Sequence, residues 1–504
     1  MTVTRLGRDI VSKSDELYRP QTPNIGIVHL GIGAFHRAHQ AVYTDTYMRK
    51  SGDHNWFIAG VSLRSGTVAE QLNPQDGFYT VKVSSAQGQE QQIVQSVAKV
   101  LVAPDDPQAV LSLMASPTCH IISLTVTEKG YCHDPSTGNL NVQHPDIVHD
   151  LSNLDKPKTA IGYLVSALKT RFEAHIDAPT ILCCDNLPEN GNTTARIVTQ
   201  FATRISDELV AWINENVAFP NTMVDRIVPA TTPSDIDELA DEAGYRDSAM
   251  VKTEAFTQWV IEDKFAGKRP YWEDAGATIV SNVDVFEKAK LRLLNGAHSS
   301  LAYAGFLSGY EFVSEVMEDK AFERYLNILM CDEIAPTLTP PPGLELTSYT
   351  ADLLARFTNP ALFHKTYQIA MDGSQKLPQR LFHTIEDRLQ NGESAECLCF
   401  AVASWLRYTM AFDAKGDAIE VQDPLADVLY DVQKRDFYEI DKLVKGYLGL
   451  SQIFPQTLST NDVFEERVKY WLSYILANGV PTALDSLLLE VQDYSPKLKQ
   501  QAVL

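Results

Sequence analysis

The chain has 504 residues, room for two or three domains, and its 44% hydrophobic content fills a sizeable core. Its 43 basic and 65 acidic residues leave a net charge of -22, which repels a polyanion, and no basic run interleaved with aromatics offsets it; nucleic-acid binding is excluded. The seven cysteines are scattered and odd in number, without C-x-x-C spacing or an H-E-x-x-H, so neither a disulfide framework nor a zinc site is expected.

The N-terminus lacks the apolar stretch of a signal peptide, and no apolar run approaches the ~20 residues that span a bilayer. The expected location is the cytoplasm, with no membrane partner. In chain order, the first strand is read at Asn24 to Leu30, followed by a helical stretch and a second strand at Trp56 to Leu63. Further strands are expected at His120 to Thr125, Thr180 to Cys184, Arg226 to Val228 and Thr278 to Ser281. Helices are expected between them, among others at Thr159 to Ala174 and Thr193 to Asn214. This alternation predicts an α/β, Rossmann-type doubly wound sheet, largely parallel, with helices on both faces.

After about residue 285 the pattern changes to long amphipathic stretches: Phe286 to Leu307, Lys320 to Ile334, Ser348 to Phe357, Ala395 to Met410 and Val463 to Leu476. Thr337 to Gly343 carries three consecutive prolines and is a loop. Cys397 and Cys399 read as buried helix. The domains expected are a dinucleotide-binding Rossmann-type unit at 1–285 and a mainly α-helical C-terminal substrate and catalytic domain at 286–504.

The first strand runs into Gly31-Ile32-Gly33-Ala34-Phe35-His36. Gly31 permits a tight turn, and Gly33 lets the backbone approach a pyrophosphate at a helix start. His36 stands where the third glycine of the usual fingerprint belongs, so the motif is G-x-G only. The second strand ends in Arg64 and Ser65 rather than in the carboxylate that holds an adenosine ribose. The cofactor expected is NAD, with NADP left open.

Further along, Lys290, Asn295 and His298 fall within an arc of about 140° of one helix at 100° per residue. An amine, an amide and an imidazole on one face suit oxidation of a secondary alcohol: a base takes the hydroxyl proton as hydride leaves carbon, and donors hold the oxyanion. A lysine desolvated beside an apolar pocket is tuned toward neutrality. Gly296 costs such a helix about 1 kcal/mol against alanine, which close packing there would explain.

These stretches together resemble the mannitol dehydrogenase family of polyol-specific long-chain dehydrogenases. The resemblance rests on G-I-G-A-F-H-R-A-H at Gly31 to His39, S-L-T-V-T-E-K-G-Y at Ser123 to Tyr131 and C-D-N-L-P-E-N-G at Cys184 to Gly191. It continues through M-V-D-R-I-V-P at Met223 to Pro229 and K-x-x-x-x-N-x-x-H at Lys290 to His298. It implies a zinc-free enzyme in which Lys290 is the general acid/base, Asn186 and Asn295 form the oxyanion hole, and His298 positions the substrate. Glu287 would assist proton exit, and Asp225 would lie near the substrate. The stretches Tyr367 to Arg380 and Trp259 to Asp263 resemble the mannonate oxidoreductase (fructuronate reductase) branch, with Gln368 where polyol-oxidising members carry arginine. A sugar-acid carboxylate needs a cation, for which Lys376, Arg380 and Arg37 are the candidates. The expected partner is a small sugar acid or, alternatively, a neutral polyol, handled by a monomer or small homo-oligomer.

Overall fold

The computed structural model describes residues 4–14, 17–85, 88–134, 137–360, 363–413 and 416–492. The chain divides into two compact units, Met1–Asp284 and Val285–Leu504.

The first unit is built on five parallel strands: β1 (Ile25–Leu30), β2 (Phe57–Ser62), β3 (Val97–Val102), β4 (Ile121–Leu124) and β5 (Thr180–Cys183). Their order in the sheet is β3-β2-β1-β4-β5, so the winding reverses between β1 and β4. Successive side chains of a strand point to opposite faces, and both faces here are apolar. Ile27, Ile58, Ile121 and Leu182 join one core, and Val28, Val61, Ile122 and Ile181 the other. Helices cover each side, which makes the sheet doubly wound. The expected strands 24–30, 56–63, 120–125 and 180–184 are all present within two residues at either end.

Two expectations are corrected, and one expected strand is present but in another sheet. Residues 226–228 are not a strand: β6 (Thr222–Asp225) ends before them, and Arg226 turns inward to donate to the carbonyls of Ala38 at 2.5 Å and Glu254 at 3.1 Å. The strand at Thr278–Val280 (β8) lies outside the main sheet; it pairs with β7 (Gln258–Glu262), which runs antiparallel to β6. The stretch 193–214 is two helices, α5 (Asn190–Ala202) and α6 (Asp207–Asn216), because Ser206 starts a new helix by accepting from the Leu209 N–H at 3.2 Å. A hairpin of Tyr79–Ser85 and Gly88–Val94, joined by Val251–Glu254, forms a third sheet whose polar outer strand carries no apolar alternation to announce it.

Among the helices that precede these in the chain are α1 (Ala34–Ala38), α2 (Gln40–Ser51), α3 (Pro107–Met114) and α4 (Ala160–Glu173). The last of them starts at Thr159, whose hydroxyl accepts from the Gly162 N–H.

The second unit is helical. It opens with α7 (Asp284–Ala289), passes through a π-helical turn at Lys290–Asn295, and continues as α8 (Gly296–Leu307). Nearly every side chain of α8 is buried, which makes it the central helix of this unit. Against it pack α9 (Lys320–Ile328) and α11 (Glu396–Thr409); α10 (Leu346–Phe357) reaches it through Phe357 on His298, and α12 (Asp462–Asn478) packs on the outside of α11. Cys397 and Cys399 are buried in α11. No helix among the described residues is long and apolar enough to cross a membrane.

Candidate active site

The loop after β1 lies at the winding reversal, where open α/β sheets bind ligands. Gly31 adopts φ +95°, and a Cβ there would collide with the Thr125 carbonyl at the end of β4. Gly33 is different: its φ of -87° suits any residue, and, its chain neighbours apart, no atom of the described residues lies closer than 3.8 Å to where a Cβ would stand. Nothing among the described residues demands glycine at 33, whereas a phosphate brought against the backbone would. No side chain caps the start of α1, which begins with Ala34, Phe35 and His36. The backbone from Gly31 to His36 therefore fits the pyrophosphate of a dinucleotide. The His36 side chain turns away from this loop and is buried on His29. Arg64 is exposed just beyond β2, where a ribose or its phosphate is expected.

Asn186 is exposed, three residues past the end of β5. The residue before it, Asp185, is buried and holds the loop after β4: its carboxylate accepts from the Val126 N–H at 3.0 Å, the Thr127 N–H at 2.8 Å and the Tyr131 hydroxyl at 2.6 Å. Burial raises the Asp185 pKa against these bonds. Thr127 sits at φ 65°, a strained conformation that this clamp maintains. Asn190 donates to the Asp185 carbonyl at 3.0 Å and to the Thr222 carbonyl at 2.9 Å, tying β5 to β6. Asp225 is buried at the end of β6, opposite Gln258.

In the second unit Lys290, Asn295 and His298 are all buried, at 7%, 9% and 7% exposure. The arc expected for them assumed a regular α-helix, and the structure corrects it. Lys290 to Asn295 is a π turn, whose i→i+5 bonding brings the first and last residues of the turn to nearly the same side. The amine and the amide are therefore closer to alignment than 140° apart. Asn295 Nδ2 is buried and has no hydrogen-bond partner among the described residues. Such a donor is costly unless something accepts from it. His298 packs on Phe357 at 4.4 Å between ring centroids and meets His364 edge-on at 5.2 Å. Burial, then the neighbouring His364, Arg356 and Arg380, hold its pKa well below the ordinary value, so the imidazole is neutral. Glu287 is half-buried on α7, one turn before Lys290.

The three cation candidates separate. Arg37 is spent on the fold: it is buried, donates to the carbonyls of Ala249 and Gly33, and lies over the Tyr79 ring. Lys376 donates to the Met371 carbonyl at 2.6 Å and stands 3.8 Å from the Asp372 carboxylate. Arg380 is half-buried in a π turn at Pro378–Phe382 and donates to Ser299 Oγ at 3.0 Å, on the residue after His298. Arg356 and His364, which also bear on His298, escape a reading of the sequence. They stand far from it in the chain and in no motif; Arg356 only stands out as a buried arginine next to Phe357 on α10.

Among known proteins, the Mannitol dehydrogenase Rossmann domain family matches residues 25–274, and the Mannitol dehydrogenase C-terminal domain family matches residues 282–476. The chain is 47% identical to the D-mannonate oxidoreductase of Escherichia coli, over 87% of this chain and 90% of that protein. It is 42% identical to a mannitol 2-dehydrogenase of Aspergillus terreus, over 80% and 82%. The fold matches the Pseudomonas fluorescens mannitol 2-dehydrogenase in ternary complex with NAD and D-mannitol, at 36% identity and a TM-score of 0.84, covering 96% of this chain and 99% of that one.

Proposed function

The chain belongs to the mannitol dehydrogenase family, and from this premise we propose that it is an NAD-dependent secondary-alcohol oxidoreductase that reversibly reduces D-fructuronate to D-mannonate. The observation that carries the reading is the buried Asn295 amide, a donor in want of an acceptor at the far end of the π turn that begins with Lys290. The 47% identity to a D-mannonate oxidoreductase supports the sugar acid as substrate.

Gly31, Gly33, Ala34, Phe35 and His36 would hold the dinucleotide through their backbone, with Arg64 at its ribose end. Bound NADH supplies the hydride that reaches the keto carbon. In this direction the Lys290 ammonium donates a proton to the keto oxygen as the carbon–oxygen double bond becomes single. Asn295 Nδ2 donates a hydrogen bond to that oxygen while it carries negative charge, which is where a preorganised donor acts most strongly; the family resemblance gives Asn186 the same role. The neutral His298 imidazole orients a substrate hydroxyl, with Asp225 assisting. Glu287 passes a proton from solvent back to Lys290. Arg380 meets the substrate carboxylate; its guanidinium is fixed by Ser299 beside His298, and a forked cation suits a carboxylate.

The test is NADH oxidation by the purified protein with D-fructuronate and with D-fructose. The reading expects kcat/KM for fructuronate to exceed that for fructose by about a hundredfold or more, the value of two charge-assisted hydrogen bonds. The second reading, a neutral-polyol dehydrogenase, is favoured by the likeness to a structure holding D-mannitol; faster turnover of fructose would establish it in place of the first.

A further inference from the structure

We infer that His36, stacked on His29, takes the part of the missing third glycine, and that the two histidines are positioning residues for the pyrophosphate of the bound dinucleotide. The inference rests on the dinucleotide reading of the first unit. In the usual fingerprint the third glycine lets the helix come down onto the first strand. Here the ring of His36 lies flat on that of His29, 3.4 Å between centroids with the planes 15° apart. Both residues are buried, His29 within β1 and His36 within α1. The thickness of one imidazole thus sets the height of the helix start above the strand.

The lower ring is itself fixed. His29 Nδ1 is 2.8 Å from Ser123 Oγ, and Nε2 is 2.8 Å from Thr125 Oγ1. The Thr125 hydroxyl donates to the Gly31 carbonyl at 2.8 Å. Its proton is thereby committed, so Nε2 of His29 carries the hydrogen and Nδ1 accepts from Ser123. A chain of donors runs from Ser123 through His29 and Thr125 to the carbonyl of the one residue of the turn with positive φ. One ring therefore both supports α1 from below and locks the peptide that leads into it.

The helix above the ring is short. α1 lasts five residues, breaks at His39 (φ -124°, ψ -93°) and resumes as α2, which reaches the core through Ala41, Tyr43 and Met48. Two cations could not lie face to face at this separation. Burial holds His29 down to about 3 and His36 well below its ordinary value, with His29, His39 and Arg37 adding to the shift at His36.

The experiment measures equilibrium binding of NADH, ADP-ribose and AMP to the purified full-length protein by fluorescence and calorimetric titration, with thermal melting as a check on folding. Binding of NADH by the wild-type protein tests the dinucleotide reading on its own; its absence would sink that reading and this inference with it. His36→Leu, which fills the space without a flat ring, is expected to weaken NADH and ADP-ribose about tenfold or more while AMP stays within about twofold. His36→Phe, which keeps a ring on His29, should remain within about threefold of wild type for all three ligands. Thr125→Val cuts the donor chain isosterically and should weaken NADH by about threefold to tenfold. A folded His36→Leu protein that binds NADH as wild type does, or loses AMP in parallel, overturns the inference. Should that variant not fold, an unchanged NADH affinity in Thr125→Val overturns it.

Discussion

Gly296 and Arg380 meet backbone to backbone: a Cβ at 296 would stand 2.9 Å from the Arg380 carbonyl oxygen. Gly296 follows the π turn that carries Lys290 and Asn295, and Arg380 lies in a second π turn. The glycine that weakens the helix is thus the one that lets two irregular turns touch. Gly296→Ala gains helix propensity but forces the backbones apart, and overpacking of this kind costs about 1–3 kcal/mol. A lowered urea midpoint together with lower kcat is expected; a more stable, fully active variant would mean that the contact is dispensable.

Asn295→Ala separates catalysis from stability. Its buried Nδ2 has no acceptor among the described residues, so deletion forfeits no bond on that side and should change stability by less than about 1 kcal/mol. An oxyanion donor removed should lower kcat by about 10²–10³. Steady-state kinetics beside urea unfolding check both halves. A large stability loss with unaltered kcat would mark the amide as structural.

Lys290→Ala should lower kcat by about 10²–10⁴, the usual contribution of a general acid/base, while NADH affinity stays within about twofold. In the reduction direction the alkaline limb of the kcat profile, where a proton-donating amine would be lost, should flatten. A loss of less than about tenfold would assign the proton to another group.

Four of the five strands and the glycine turn are legible because local chemistry writes them; β3 (Val97–Val102) is not among the strands expected from the sequence. Short apolar runs such as Ile25–Leu30, bounded by glycine, read as buried strand, and Gly31 carries the one positive φ of its turn. The π turn at Lys290–Asn295 is not legible, since one extra residue per turn leaves no periodic trace over six residues. The same holds for Arg226: its place after an apolar stretch reads as strand, and only distant carbonyls at Ala38 and Glu254 turn it inward. Lys290, Asn295 and His298 can be picked out as chemistry, but Arg356 and His364 reach His298 only through tertiary packing.

Arg380→Gln tests the substrate's charge. If Arg380 receives a carboxylate, KM for fructuronate should rise about tenfold to a hundredfold, worth 1.5–3 kcal/mol for a charged hydrogen bond, with fructose turnover little altered. Equal loss on both substrates would place the arginine in folding, through its bond to Ser299.

Glu333 sets a pH dependence of stability away from the site. It is buried, and its carboxylate accepts from the N–H groups of Cys397 at 2.8 Å and Leu398 at 2.9 Å, in the first turn of α11. Burial pushes its pKa up from 4.5 to about 7, against the pull of these bonds and of Arg388. The folded chain thus holds this proton more tightly than the unfolded one. The resulting stability is complete below pH 4.5 and is lost as pH climbs through about 7, with an upper bound of about 3 kcal/mol. Glu333→Gln cannot lose a proton, so its urea midpoint should fall less than the wild type's between pH 4.5 and 8. Two curves that run parallel across that range would show that the carboxyl titrates alike in both states.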